Sequence, residues 1–327
     1  MIDLRSDTMT KPTPGMLAAM AAAQVGDEQE REDPTTSELQ RRMAELLGHE
    51  AALFFPTATM ANQAALRALS RPGCKVVAEE GTHILIWEWG GPAIHSGLVM
   101  HGVAADAGRP TASQIEELDA FGSGSVVVLE NTHNSSGGRI WPLDEFGTVA
   151  DAARSRGATV HLDGARLFNA AVAAGVEPAE WGRLADTVTV CFSKGLGCPF
   201  GAVLAGPAET MERAWESKFL FGGALRQSGI AAGAMLYALD HHVERLADDH
   251  ARAKRLAEGI GIDPADVETN FVPIPNEPGL IERLREHEVA VSDLRAGWLR
   301  AVTHLDIGDD EIEQAIERMQ EVLSVHA

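Results

Sequence analysis

Of the 27 lysine and arginine residues in this chain, five are lysine: Lys11, Lys75, Lys194, Lys218 and Lys254. Chemistry that needs a deprotonatable amine therefore has few places to sit, and Lys194 has the most telling surroundings. It follows the apolar run Thr187–Phe192 and precedes the glycine-rich stretch Gly195–Gly201. An amine at a buried strand end loses solvation, its pKa falls, and it can attack a carbonyl to form a Schiff base. An arbitrary strand-end lysine is ordinarily a surface turn residue, so its company decides. Asp163 ends another apolar run, where a carboxylate can pair with a pyridinium nitrogen, although an Asp before Gly also simply forms turns. Thr57-Ala58-Thr59 opens a helix with hydroxyls and free backbone N–H groups that suit a phosphate dianion, and equally a plain threonine cap. His83 is either a flat ring to lie over a flat cofactor or a solvated loop residue. Arg166 and Arg300, at strand ends, offer forked donors for an amino-acid carboxylate. The histidines show no metal spacing, and His241-His242 lacks a second ligand pair, so no metal site is expected.

The elements that would position these groups alternate along the chain. Apolar runs at 51–55, 75–78, 126–129, 158–163, 187–192 and 202–205 read as strands, and helical spacing fills 60–69, 113–121, 143–156 and 166–174 between them. Ser37 with Gln40, and Ser113 with Glu116, read as capping boxes, and Gly48 stops the first of those helices. Near-continuous apolar strands alternating with helices predict an α/β fold, a mostly parallel sheet covered by helices on both faces. Beyond a long helical stretch at 228–260 the order changes to strand 268–274, helix 280–288, strands near 289–292 and 298–303, and helix 309–325. We read this as a smaller C-terminal α+β domain, with the boundary inside the helical stretch: residues 1–240 and 241–327.

The composition excludes several classes. With 48 acidic against 27 basic residues the net charge is −21, which repels polyanions and argues against a nucleic-acid partner. No apolar stretch reaches the roughly 20 residues of a membrane span, and the charged opening Asp3-Leu4-Arg5 does not read as an export signal. Cys74, Cys191 and Cys198 fit neither CxxC nor zinc spacing and read as free thiols of a reducing cytosol.

Several ordered motifs together resemble the low-specificity L-threonine aldolases. They are Leu4-Arg5-Ser6-Asp7-Thr8, Glu32-Asp33-Pro34-Thr35, Glu130-Asn131-Thr132-His133-Asn134, His161-Leu162-Asp163-Gly164-Ala165-Arg166, Ser193-Lys194-Gly195-Leu196 and Arg300-Ala301-Val302-Thr303-His304. The resemblance, to a beta-eliminating lyase group of fold type I, implies pyridoxal 5'-phosphate as cofactor. It implies that Lys194 carries the cofactor as a Schiff base, Asp163 pairs with its ring nitrogen, His83 stacks on the ring, and Ala58 and Thr59 help hold the phosphate. It further implies that Ser6, Arg166 and Arg300 hold the substrate carboxylate and that Arg226 lies near the cofactor, at or across a subunit contact. The expected enzyme is a cytoplasmic homodimer or homotetramer that splits a β-hydroxy-α-amino acid into glycine and an aldehyde. The same groups also serve racemisation, β-elimination or transfer, or a cofactor-holding homologue without turnover.

The chain departs from the family pattern at Glu30-Arg31, in place of Tyr-Gly, at Trp87, in place of Tyr, and at Thr57-Ala58-Thr59, in place of Ser-Gly-Thr. Loop 120–125 is short and lacks a substrate-facing histidine. Trp87 and this loop are expected to alter the pocket for the β-substituent, leaving His83 or water as the base for the hydroxyl.

Overall fold

The computed structural model describes residues 1–323. Among these described residues twelve strands form three sheets: β1 (Ile2–Asp3), β2 (Ala51–Phe55), β3 (Lys75–Glu79), β4 (Val99–Val103), β5 (Val126–Glu130), β6 (Thr159–Asp163), β7 (Thr187–Cys191), β8 (Ala202–Gly206), β9 (Phe271–Pro275), β10 (Val289–Ala290), β11 (Ser292–Arg295) and β12 (Trp298–Val302). The main sheet runs β2-β8-β7-β6-β5-β3-β4, with β8 antiparallel to both neighbours and β7 through β4 parallel. The α/β architecture therefore matches the sequence expectation.

Both faces of this sheet are buried, and the period-two alternation shows how. Val127 and Leu129, Val160 and Leu162, Val188 and Val190, and Val203 and Ala205 point into one core, shared with helices Pro34–Leu47, Leu143–Ser155 and Gly229–His241. Val126 and Val128, with Ala202 and Leu204, point into the cores on the opposite face, under helices Ala58–Leu69 and Ala208–Leu220. On β6 and β7 that second face is polar instead: His161, Asp163, Thr187 and Thr189 alternate with the apolar set and are all buried. A buried polar stripe needs partners, and helix Ala58–Leu69 brings them as Asn62 and Gln63, two amides on an otherwise alanine-rich buried side.

The second sheet, β11-β12-β9, is antiparallel and shares a separate core with helices Leu246–Gly259 and Asp309–Leu323. Ile2 and Leu4 belong to this core, and β1 pairs with β10. The N-terminal arm of the expected first unit, residues 1–240, thus begins on the C-terminal core. The long helical stretch is two helices, Gly229–His241 and Leu246–Gly259, broken between them.

Other boundaries differ for local reasons. The helix at 34–47 starts on Asp33, which accepts from Thr36 N–H at 2.9 Å with Pro34 in the first helical position, so Ser37 and Gln40 lie inside it. The expected helix 113–121 is the single turn and a half Ala112–Glu116, boxed by Thr111 and Gln114. Strand β4 and helices Pro14–Ala22 and Ala208–Leu220 were not read from the sequence; β4 is a half-exposed edge with a glycine in it. The expected end of the last helix, at 324–325, lies outside the described residues. Among the described residues no helix is long and apolar enough to cross a membrane. Cys191 and Cys198 are buried, Cys74 is half-buried, and none is in a disulfide.

Candidate active site

Because β3, β5, β6 and β7 are parallel, their carboxyl ends meet at one edge, the crevice where open α/β sheets bind ligands. Glu130 and Asp163 are the last residues of β5 and β6 and lie opposite each other in register. Asp163 is buried; its Oδ2 accepts from Asn62 Nδ2 at 2.8 Å and its Oδ1 from the N–H of Ala165 at 3.1 Å. Gly164 follows because a Cβ there would come within 2.8 Å of the Thr189 carbonyl oxygen on β7. Lys194 leaves β7, and its carbonyl accepts from the Thr10 hydroxyl at 2.9 Å and from Gly197 N–H, which fixes the backbone. Its amine has no hydrogen bond or ion pair among the described residues, yet its charge is felt at Asp7 and His83.

His83 begins the turn His83–Ile86. Its N–H donates to Glu130 Oε2 at 2.6 Å, while Glu130 Oε1 accepts from Asn134 N–H at 2.8 Å. Glu130 is thus a clamp between the His83 and Asn134 loops. The imidazole Nδ1 lies 3.1 Å from Glu88 Oε1. Burial pulls the His83 pKa down, but the Glu88 hydrogen bond with the charges of Asp163 and Glu130, opposed by Lys194, carries it above the ordinary value. The sequence showed no metal spacing; the fold nevertheless brings one atom each of His83, Glu88 and Asp163 within 4.8 Å of one another. The Asn62 amide NH2, bound to both carboxylates, occupies the position between them.

The corner expected to take the substrate carboxylate has part of its donor set already paired. Arg166 is buried and spends its fork on Asp7, Nε to Oδ2 at 2.7 Å and Nη2 to Oδ1 at 2.6 Å. Burial pushes the Asp7 carboxyl up, but Arg166, with Lys194 and Asn270, holds it well below the usual carboxylate range. Only Nη1 of Arg166 faces Asn134 Oδ1, at 3.4 Å, and the same oxygen accepts from Arg300 Nη1 at 2.8 Å. Arg300, on β12, also donates to Ser292 Oγ at 3.0 Å and lies over the Phe271 ring, but no carboxylate pairs with it among the described residues. Burial and the neighbouring Arg166 bring its pKa down to about 10, against the opposing pull of Asp7. A largely desolvated guanidinium holding only neutral acceptors is a site for an anion. Ser6 caps the turn Asp7–Met9, accepting from Thr8 N–H at 3.2 Å, and so shares this corner.

Ala58 and Thr59 are the first residues of helix Ala58–Leu69, whose cap, Thr57, takes the N–H of Met60. First-turn N–H groups have no intrahelical acceptor and suit a phosphate. Arg226 stands apart: its side chain is 58% exposed and its Nη1 donates to Asp27 at 2.7 Å.

Loop 120–125, expected beside the pocket, lies elsewhere. Ser123 carbonyl accepts from Arg71 and Asp119 carbonyl from Lys75, while Ser125 Oγ accepts from Lys75 N–H at 3.2 Å. The loop therefore packs at the amino ends of β3 and β5, about 13 Å of strand away from Glu130. It cannot shape the pocket of its own chain. Trp87, 58% exposed, closes the His83 turn and does lie beside the site.

Asp7, Asn62, Gln63, Glu88 and His161 were not singled out from the sequence as site residues. Asn62 and Gln63 left one signal: two amides on a helix face that is otherwise alanine and leucine.

A pyridoxal phosphate would find in these residues an unpaired amine, a fixed carboxylate, free helix N–H groups and a flat imidazole, a donor set that fits its aldehyde, ring nitrogen, phosphate and ring. Comparison with known proteins agrees with this chemistry. The profile of the family described as Beta-eliminating lyase matches residues 3–272. The low specificity L-threonine aldolase of Escherichia coli K12 is 39% identical over 96% of this chain and 97% of its own. A probable low-specificity L-threonine aldolase 2 of Arabidopsis thaliana is 36% identical over 98% and 97%. In fold, the chain matches the Leishmania major threonine aldolase structure with a TM-score of 0.85 at 20% identity, covering 99% of this chain and 100% of that one.

Proposed function

Because this chain belongs to the beta-eliminating lyase family, with low-specificity L-threonine aldolases among its full-length relatives, we propose that it is a pyridoxal-phosphate-dependent lyase. It cleaves a β-hydroxy-α-amino acid, threonine, allo-threonine or a relative, to glycine and an aldehyde. The observation that carries the reading is the pairing of a Lys194 amine and a fixed Asp163 with a guanidinium, Arg300, where among the described residues the amine has no partner and the guanidinium no anion.

When bound, the cofactor supplies an electron sink for the pair released at Cα. Lys194 would hold it covalently, Asp163 would keep its ring nitrogen protonated, the N–H groups of Ala58 and Thr59 would take its phosphate, and the His83 ring would lie over it. The substrate carboxylate displaces the Asn134 amide oxygen from between Arg300 and Arg166 Nη1, with Ser6 alongside. Arg300 provides most of this grip, since Asp7 occupies the Arg166 fork. Pinning the carboxylate would set the rotation about Cα and so select which of its bonds can release a pair to that sink. His83 is the base for the β-hydroxyl.

Replacing Arg300 with lysine is expected to weaken glycine binding by about tenfold or more, because an ammonium cannot reproduce a forked contact. Titration of glycine into the holoenzyme reads this, and an unchanged Kd would contradict it.

The enzyme acts in the cytoplasm as a homodimer or homotetramer, and Arg226 reaches a cofactor across the subunit contact. Exposed apolar side chains in the segment that follows His83, Trp87, Trp89 and Ile94, support such a contact.

The substrate range is tested by kcat/KM for L-threonine, L-allo-threonine and a phenyl-bearing β-hydroxy amino acid. With His83 serving either epimer and Trp87 offering an apolar face, little discrimination between epimers and a gain for the phenyl compound are expected. A strong preference for one threonine epimer would contradict this.

A further inference from the structure

Resting on the aldolase reading, we infer that Glu88 is a positioning residue which, with His83, forms a carboxylate–imidazole pair that makes His83 Nε2 the proton acceptor for the substrate's β-hydroxyl. Glu88 is buried, and three N–H donors surround its carboxylate: His83 Nδ1 at 3.1 Å and Asn62 Nδ2 at 3.0 Å on Oε1, and Gln63 Nε2 at 2.5 Å on Oε2. A carboxylate accepts, so His83 must present Nδ1–H to it. Nε2 is then left with its lone pair, and it has no protein partner among the described residues.

The remainder of the network fixes this arrangement. Asn62 must turn its NH2 to the two carboxylates, Glu88 and Asp163, so its Oδ1 faces His161 Nε2 at 3.1 Å. His161 therefore donates from Nε2 and accepts the Thr187 hydroxyl at Nδ1, 2.8 Å away. Burial holds the His161 pKa at about 4, against the pull of Asp163, so this imidazole is neutral and carries one proton, as that chain of bonds requires. One amide, Asn62, thus ties the partner of the cofactor's ring nitrogen to the partner of the base.

In the step that Glu88 serves, the β-hydroxyl proton passes to His83 Nε2. The O–H bonding pair becomes the second C–O bond of the aldehyde, and the Cα–Cβ pair stays with the glycine half. The imidazolium so formed is balanced by Glu88, as the orienting carboxylate of a catalytic triad balances its histidine.

The test compares wild-type holoenzyme with Glu88→Gln. The charged groups facing His83 are Glu88, Asp163, Glu130 and Lys194, and of these the substitution removes only Glu88. In the wild type, cleavage fails on the acid side as pH falls through the raised His83 pKa. In Glu88→Gln that acid limb moves to lower pH while the plateau kcat for threonine drops about 10²-fold, and histidine NMR shows the His83 titration moving down with it. Glycine α-proton exchange, which needs no hydroxyl base, falls far less than cleavage. An unmoved His83 titration with undiminished cleavage would overturn the inference. If Glu88→Gln does not fold, the tautomer read by long-range proton–nitrogen correlation in the wild-type holoenzyme decides: Nδ1–H supports the pair and Nε2–H refutes it. A wild type that exchanges glycine protons but never cleaves threonine would refute the aldolase reading, while the tautomer still judges the pair.

Discussion

Lys194→Ala is expected to lower threonine cleavage by about 10⁴–10⁶-fold, the scale seen when a covalent nucleophile is removed, and to abolish the visible absorption of lysine-bound cofactor. The fold should survive, because the Lys194 amine has no hydrogen bond or ion pair among the described residues and what holds the segment is backbone: its carbonyl takes the Thr10 hydroxyl and Gly197 N–H. The lysine is thus spent on chemistry and contributes little to packing. A Lys194→Ala protein that keeps both colour and turnover would place the reactive amine elsewhere. Lys218 is a poor substitute, since it is fully buried, paired with Glu28 and enclosed by Phe54, Phe55 and Trp215.

Asp163→Asn has the second largest expected effect, a loss of about 10²–10³-fold in kcat, comparable to removing one preorganised electrostatic partner of developing charge. The new amide is nearly isosteric and its one oxygen keeps one of the two N–H donors, Asn62 or Ala165, that the carboxylate accepts; the groups for the phosphate and the aldehyde are untouched, so cofactor occupancy should change little. What is lost is the negative charge that keeps the ring nitrogen protonated. The measurement is kcat alongside cofactor content by absorbance. Full activity in the Asn variant would show that another group serves the nitrogen.

Much of this site is legible along the chain because its main residues end apolar runs. Lys194, Asp163 and Glu130 announce themselves where hydrophobic strands stop, and a parallel sheet must bring such ends together. The partners that tune them give no such signal. Glu88 is a lone acid after a short turn, and Asn62 sits within a helix, so neither has a periodicity or a motif to mark it. Asp7 and Arg166 lie 159 positions apart, and nothing local says that the arginine's fork is already taken. Loop 120–125 misled for a topological reason: it is near Glu130 in sequence but at the other end of the same strand. Strand β1 left no mark either, since two residues carry no sign of the distant strand, β10, on which they pair.

Carbon–carbon cleavage at a pyridoxal-phosphate site leaves a distinctive product pair. Its most direct test is to incubate the reconstituted enzyme with L-threonine and quantify every product. Glycine and acetaldehyde are expected in equal amounts. A 2-keto acid with ammonia and no glycine, or no product at all from a fully loaded enzyme, would contradict it.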